Sequence, residues 1–521
     1  MTPDTSVRAP HGLVASPDSL ASQAGVATLR AGGTAVDAAI ATSAVLAVTS
    51  PHMCGMGGDL FALVHEGPGA PACLNASGRA GSGADPDRVR AQGHTTIPLT
   101  GHIAAVPVPG CVDGWLALHD RYGRLPLAEV LEHAVGFADD GFPASPLLAA
   151  AAGGVADVRG AAALRPATDG AGALIRRPGV ARSLRAVVDH GRDGFYGGEF
   201  GEGLLTLGAG EFVPGDLAVP LADWVEPLSV RAFGHDVWTT PPNSQGYLTL
   251  LGLAIIEGLD LPDDPADGAW AHLMVEAARA AGRDRPEVLH EHADVSVLLA
   301  AAEVTRRRAG IDPERRSRLA GPAADGGTIH LSTADADGMG VSLIQSNAAG
   351  FGSHLAVGET DILLHCRGVG FSLEPGHPAE YGPGRRPPHT LSPAIVTRSD
   401  GGLAIVAGTM GGDAQPQILL QTLTRMLRHA QPPGPAIAAP RWALGLDGGN
   451  GFDTWNAVGD QIVMLELGSH GWVTGLESRG HGVRPMQQSP GFGHADAIVA
   501  TPSGWAGAAD PRAVVGAAIG Y

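Results

Sequence analysis

The chain has 521 residues, 44% of them hydrophobic and 17% charged, with a formal net charge of −19. This composition supports a large buried core, and an acidic chain of this kind repels nucleic-acid backbones and anionic membrane surfaces. All 34 basic residues are arginine, which excludes sites that need a lysine: the P-loop, the pyridoxal phosphate Schiff base and the Ser-Lys hydrolases.

The four cysteines are scattered and form no C-x-x-C pair, so neither a disulfide framework nor a zinc site is expected. The first residues, MTPDTSVRAPHG, lack a charged segment followed by an apolar one, so no signal peptide is predicted. The longest apolar run, residues 38–48, is shorter than the roughly 20 residues of a membrane span. These features predict a cytoplasmic protein.

The first 65 residues predict two helices, a glycine turn and a strand. Thr34 and Asp37 have the spacing of a capping box. The run after them is apolar on all sides, so that helix is predicted to be buried. The predicted elements are a helix ending at Gly32, a helix over 35–48, a glycine turn over 55–59 and a strand over 60–65.

The rest of the chain divides into a helix-rich first half and a strand-rich second half. Residues 283–327 are the most polar segment; they predict a helix, a basic turn and an exposed loop, and form the best candidate for a mobile or cleavable segment. Residues 328–332 and 341–345 then predict a β-hairpin. Further predictions are helices over 115–140, 248–259 and 419–429, and strands over 404–407, 462–465 and 497–500.

Several segments, taken in order, carry a family resemblance. They include residues 12–59, LNASGRA (74–80), residues 108–142, TTPPNSQG (239–246), GGTIHLSTADADGMGVS (326–342), RRPPHTLSPAIV (385–396) and AGTMGGDAQPQ (407–417). On these segments the chain resembles the γ-glutamyltransferase family of N-terminal-nucleophile hydrolases, from about residue 11 to residue 521. IQSNAAGFGS (344–353) and CRGVGFSLEPGHP (366–378) are most similar to its signal-less, oxamate amidohydrolase-like branch.

The resemblance implies an α+β fold, a four-layer αββα sandwich forming one intertwined domain. It implies a proenzyme that cuts itself between Gly327 and Thr328, giving a large subunit (1–327) and a small subunit (328–521). These would pair as an αβ heterodimer, with a dimer of heterodimers left open. No cofactor is implied.

The resemblance also implies the catalytic residues. Thr328 would be the nucleophile, and its α-amine, freed by cleavage, would be the base. An α-amine with a pKa near ~8 suits that role at neutral pH. Ser346 would hydrogen-bond the nucleophile. Gly411 and Gly412 would form the oxyanion hole, where glycine lets the main chain approach the developing charge.

The substrate pocket matches the family only in part. Arg79 matches the arginine that binds the substrate's α-carboxylate. Where the family holds the γ-glutamyl α-amine with Asn, Gln or Glu, and Asp, this chain has Ala348, Arg367 and Gly370. An ammonium without acceptors is costly to bury, so the pocket is predicted to take a carboxylate-bearing amide that lacks an α-amine.

His389 and Thr390 replace the family's Ser-Ser pair, and with Asn347 they are assigned to the same pocket. The leading hypothesis is a threonine amidohydrolase that cleaves a small acidic amide such as oxamate through an acyl-enzyme. The alternatives are a γ-glutamyl hydrolase or transferase for glutathione-like substrates, a biosynthetic enzyme that removes an oxalyl-type group, and an unprocessed binding protein without activity. Whether water or an amine accepts the acyl group is left open.

Overall fold

Two seven-stranded antiparallel sheets form the centre of the molecule. They are seen in a computed structural model that describes residues 4–317, 328–445, 454–456, 461–486 and 492–521. Sheet I runs in the order Ala517–Gly520, Leu13–Ser16, Ile329–Ala334, Gly340–Ser346, Asp59–His65, Ala72–Ala76, Asp223–Val225. Sheet II runs in the order Val7–Ala9, Gly504–Ala509, Ala495–Thr501, Leu403–Thr409, Ala394–Thr397, His235–Thr239, Leu228–Ala232.

Side-chain alternation along the strands shows that each sheet is covered on both faces. In the strand Asp59–His65 every residue is buried, as expected for a sandwiched strand. Leu60 and Val64 belong to a core shared with helices. Leu63 instead packs with Ile395 in the core between the two sheets. The architecture is therefore the αββα sandwich, and this prediction is confirmed.

The sheets approach each other closely near the start of the hairpin that begins at Ile329. A Cβ added to Gly408 in sheet II would lie only 2.1 Å from the His330 ring of sheet I. That ring is fully buried and contacts Asp496 through Nδ1 at 3.0 Å and Ser342 through Nε2 at 2.8 Å. Glycine at position 408 therefore makes room for a polar network that links the sheets.

Helices cover the outer face of each sheet. The apolar helix Ala35–Thr49 is buried along its whole length and begins with the predicted capping box. In the described residues, no helix is long and apolar enough to cross a bilayer. The sheet I side carries Ser19–Arg30, Ala35–Thr49, Cys111–Tyr122, Leu127–Asp140, Pro146–Ala151, Pro178–Tyr196, Glu199–Leu207 and Pro214–Ala218. The sheet II side carries Tyr247–Glu257, Gly268–Gly282, Ala301–Ala309, Gln415–Leu427, Pro433–Ala438 and His470–Glu477.

The remaining elements are short. Three more helices are Pro86–Ala91, Arg285–Val288 and Ser296–Leu299. A small three-stranded sheet combines Trp442–Gly445, Ile462–Glu466 and Val483–Met486, and two strand pairs join Phe142–Pro143 with Leu174–Ile175 and Ala356–Val357 with Ile362–Leu363.

One sequence prediction needs correction. The helix predicted over 115–140 is two helices, because Gly123 ends the first and Pro126 precedes the second. Each sheet takes strands from both halves of the chain. The hairpin that begins at Ile329 lies between Leu13–Ser16 and Asp59–His65, so the two predicted subunits would share sheet I. The end of the predicted cleavable loop, including Gly327, lies outside the described residues.

Candidate active site

Antiparallel register brings the ends of three neighbouring inner strands of sheet I together. Ile329 pairs with Gln345, so Thr328 lies next to Ser346. Ser346 in turn pairs with Asp59 at the start of the neighbouring strand. A predicted nucleophile, a predicted hydroxyl partner and a carboxylate therefore lie in one row.

Thr328 is fully buried, and its Oγ1 lies 3.0 Å from Oγ of Ser346. Ser346 Oγ accepts hydrogen bonds from Arg367 Nη2 at 3.1 Å and from the Ala348 N–H at 2.8 Å. The Ser346 hydroxyl therefore links Thr328 to the buried guanidinium of Arg367.

Sheet II supplies a glycine turn at the same end of the sandwich. Gly411 has φ 134° and Gly412 has φ 56°, conformations that favour glycine. The turn opens the helical stretch that continues as Gln415–Leu427, where the first backbone N–H groups have no intrahelical acceptor. This geometry suits the predicted oxyanion hole, whose role stays a prediction.

Gln245, in the TTPPNSQG segment, holds this turn in place. Its Nε2 donates to the carbonyl of Gly412 at 3.1 Å and of Thr390 at 3.2 Å. Its Oε1 accepts from Arg285 Nε at 2.8 Å, and Arg285 Nη2 lies 3.1 Å from Asp413. Sequence reasoning missed Gln245 and Arg285, although the quoted segment contains the glutamine.

Arg367 connects the row of strand ends to the pocket. Its side chain is fully buried, Nη1 donates to Thr390 Oγ1 at 3.1 Å, and Nε lies 3.7 Å from Asp59. Burial lowers the pKa of Arg367, while Asp59 acts in the opposite direction. A guanidinium stays charged in proteins, so a fixed positive charge lies one hydrogen bond from Ser346.

Asp59 is the buried carboxylate that balances this charge. Its Oδ2 accepts a hydrogen bond from His389 Nε2 at 2.6 Å and lies 3.4 Å from His365 Nδ1. Burial raises the pKa of Asp59, but His389 and His365 outweigh it and hold that pKa well below its usual range. Asp59 is thus ionised. The sequence predicts only a glycine turn over 55–59 and did not point to this role of Asp59.

His389 supports Asp59 with a neutral ring. Its Nδ1 accepts from the Leu391 N–H at 3.2 Å, so the proton is on Nε2, the nitrogen that faces Asp59. Burial, together with the charge of Arg367, lowers the pKa of His389 to about 4. The ring packs edge-on against Phe61. Both ring nitrogens thus bond within the protein, and a contact of His389 with substrate stays a prediction.

The neutral His389 should make the protein sensitive to acid. An unfolded chain binds a proton at this histidine below about pH 6.5, whereas the folded protein resists protonation down to about 4. Stability should therefore fall as pH drops through this window, by up to about 1.4 kcal/mol per pH unit from this group. The glutamine of His389→Gln can still donate to Asp59. We expect the thermal unfolding midpoint of this variant to fall less between pH 7.5 and pH 5 than that of the wild type.

The exposed His133 offers a matched control for that measurement. His133→Gln should keep the wild-type difference in unfolding midpoint between the two pH values. The same acid sensitivity in His389→Gln as in the wild type would show that His389 does not fold in its neutral form.

The side chains of two other predicted binding residues bond to groups outside this set, although Asn347 directly follows Ser346 in the chain. Arg79 Nη1 donates to Glu291 at 2.6 Å and to the Gly384 carbonyl at 2.9 Å, and its side chain is 34% exposed. Asn347 is buried, and its Nδ2 donates to the Pro51 carbonyl at 3.2 Å. The structure thus brings Thr328, Ser346, Arg367 and Thr390 together but ties Arg79 and Asn347 elsewhere. Their roles in binding stay predictions.

A cleft of about 630 Å³ leads to this cluster. Arg367, Thr390 and Arg285 line it, as does Gly370. Arg367 and Thr390 are hydrogen-bonded to each other, and Arg367 also donates to Ser346. Ser346 therefore lies between the cleft and Thr328. The inner end of the cleft is thus positively charged and lies near the buried Thr328 hydroxyl.

Comparisons with known proteins identify the family of this chain. A family model described as gamma-glutamyltranspeptidase matches residues 21–520. The chain is 36% identical to the oxamate amidohydrolase proenzyme of Klebsiella pneumoniae, with 98% of each chain covered. It is also 36% identical to the glutathione hydrolase-like YwrD proenzyme of Bacillus subtilis, again with 98% of each covered.

A solved structure shows the same fold. The cephalosporin acylase from Bacillus halodurans superposes with a TM-score of 0.89 at 33% identity, covering 100% of this chain and 98% of the other. The chain belongs to the gamma-glutamyltranspeptidase family and is one of its enzymes.

Proposed function

We propose that this protein is an N-terminal threonine amidohydrolase that cleaves an amide with a carboxylate next to the scissile carbonyl, as in oxamate. The observation that carries the proposal is the hydrogen bond from the buried Arg367 guanidinium to Ser346, which itself contacts Thr328. A fixed cation in this place favours an anionic group directly beside the reacting carbon.

The active form would arise by cleavage between Gly327 and Thr328. Two relatives carry the word proenzyme in their names, which supports this step. The products would be subunits 1–327 and 328–521. They would stay together as one αβ unit because strands of both lie side by side in sheet I. We also expect the protein to be cytoplasmic, and two αβ units to associate as a dimer of heterodimers.

Catalysis would proceed in two steps. The α-amine of Thr328 takes the hydroxyl proton while Oγ1 attacks the amide carbon, and the N–H groups of Gly411 and Gly412 stabilise the oxyanion. The C–N bond then breaks, the proton passes to the leaving nitrogen, and an acyl-enzyme remains. Water, deprotonated by the same amine, attacks the ester carbon and releases the acid and the free Thr328 hydroxyl.

The distances favour a short acyl group. Two successive hydrogen bonds link Thr328 Oγ1 to Arg367 Nη2, so the two atoms are at most about 6 Å apart. A carboxylate bonded directly to the scissile carbonyl can reach the guanidinium from there. The Klebsiella relative is named an oxamate amidohydrolase, which supports the same class of substrate.

The wall of the cleft argues against a γ-glutamyl substrate. A Cβ added at Gly370 would lie 2.5 Å from the Pro388 carbonyl oxygen, so an acidic side chain does not fit where the family binds the α-amine. Ala348, at another of these positions, has no polar side chain. Glutathione hydrolysis nevertheless stays the second candidate, because the YwrD relative is as similar as the oxamate enzyme. Removal of an oxalyl-type group in biosynthesis is a third.

A substrate panel tests the proposal. With purified, processed protein we expect kcat/KM for oxamate to exceed that for succinamate, glutaramate and glutathione by about tenfold or more, equal to about 1.4 kcal/mol in transition-state binding. Release of ammonia or cysteinylglycine provides the readout. A tenfold preference for glutathione would replace the proposed substrate class with the γ-glutamyl one.

A further inference from the structure

The cleft is much larger than a two-carbon amide requires. Its volume of about 630 Å³ falls in the range of sites that enclose drug-sized ligands, about 300–1,000 Å³. Its walls include apolar side chains of Ile97, Leu289, Phe371 and Leu373. If oxamate itself filled only the inner end beside Arg367, most of the cleft would hold no part of the substrate.

A second guanidinium faces the same cleft. Arg285 makes two contacts within the protein: Nε donates to Gln245 Oε1 at 2.8 Å, and Nη2 lies 3.1 Å from Asp413. Its side chain is only 10% exposed, and within the described residues its Nη1 has no hydrogen-bond acceptor. Nη1 is therefore the donor available to a molecule in the cleft.

Arg285 and Arg367 are close enough to repel each other. Burial lowers the pKa of Arg367 most, and the charge of Arg285 lowers it further. Asp59 and Asp413 compensate these charges from the protein side. Of the described residues lining the cleft, Glu374 is the one carboxylate, and it is exposed. A ligand with two anionic groups would relieve the repulsion between the guanidiniums.

We propose that the substrate is an N-substituted oxalyl-type amide whose amine part carries a second carboxylate, and that Arg285 binds that carboxylate. This inference rests on the proposed function and extends it to the leaving group. Arg367 takes the carboxylate of the oxalyl group, the apolar walls cover the linker of the amine part, and Arg285 pairs with its far end in a charge-assisted contact.

The test uses matched pairs of N-oxalyl amines. Each pair shares an alkyl linker, which is lengthened stepwise through the series, and ends either in a carboxylate or in a methyl group. With processed wild-type protein, we expect kcat/KM for one or more carboxylate-ended members to exceed that of the methyl-ended partner by about tenfold. In Arg285→Gln this ratio should fall below about twofold. In Arg285→Lys, which keeps the charge but loses the fork, it should be intermediate.

The ratio is taken within each variant, so a general loss of activity from disturbing Gln245 or Asp413 cancels. Arg283→Gln is the matched control, because Arg283 pairs with Asp284 and does not line the cleft within the described residues; it should keep the wild-type ratio. A wild type without the preference, or an Arg285→Gln variant that retains it, overturns the assignment of Arg285. A wild type that hydrolyses neither oxamate nor any member of the series overturns the proposed function and this inference with it.

Discussion

Thr328→Ala should yield a single full-length chain with no measurable amidohydrolase activity. The substitution removes the hydroxyl that would attack both the Gly327 carbonyl during maturation and the substrate carbonyl during turnover. Loss of an enzyme's nucleophile lowers kcat by about 10⁴-fold or more. Intact-mass measurement of the purified protein, together with the oxamate assay, checks both consequences in one preparation.

Thr328→Ser is the control for this substitution. It keeps a hydroxyl at the same position, 3.0 Å from Ser346 in the wild type, and should still be processed, with a small subunit that begins at residue 328. Normal cleavage or turnover in the alanine variant would remove Thr328 as the nucleophile. A wild-type chain that never divides would favour the alternative of a binding protein without activity.

Arg367→Gln should reduce kcat/KM for oxamate roughly 30- to 1,000-fold. This corresponds to a loss of about 2–4 kcal/mol in transition-state stabilisation, as found when one partner of a buried charge pair is removed. The variant loses the cation beside Ser346 and leaves Asp59 with its two histidines. Steady-state kinetics gives the effect. Intact mass and thermal unfolding show whether the variant is still processed and folded.

Removing a buried partner can also destabilise the fold, so Arg367→Lys serves as a second variant. Lysine keeps the charge for Asp59 but cannot form the two-pronged contact with Ser346 and Thr390, so a folded lysine variant should show most of the activity loss. Full oxamate activity in both variants would contradict the role of Arg367.

Arg79→Ala, in the same assay, compares the two predicted carboxylate binders. Arg79 is tied to Glu291 and is partly exposed, so we expect a smaller loss than for Arg367→Gln. A larger loss would mean that Arg79 leaves Glu291 when substrate binds, as the family resemblance implies.

Local sequence was sufficient for the elements whose signals are short-range. The capping box of Thr34 and Asp37 forms as predicted, because both partners lie within one helical turn. The hairpin after Thr328 pairs as predicted, since a short turn joins two β-rich runs. The break between the helices at Gly123 was missed, although the glycine and proline that cause it are visible in the sequence.

The sequence by itself determined the family and the sandwich fold and grouped Ser346, Arg367 and Thr390 with Thr328, because these follow from motifs that keep their order along the chain. Only the tertiary structure decided the charge pattern of the site. Asp59 lies 330 residues from His389, and Arg285 lies 40 residues from Gln245. Such contacts join residues that are far apart in the chain and lie on different strands, loops and helices, so they form only when these elements pack together. For the same reason, the sequence did not reveal that Arg79 pairs with Glu291. Nor did it reveal the cleft that Arg285 lines.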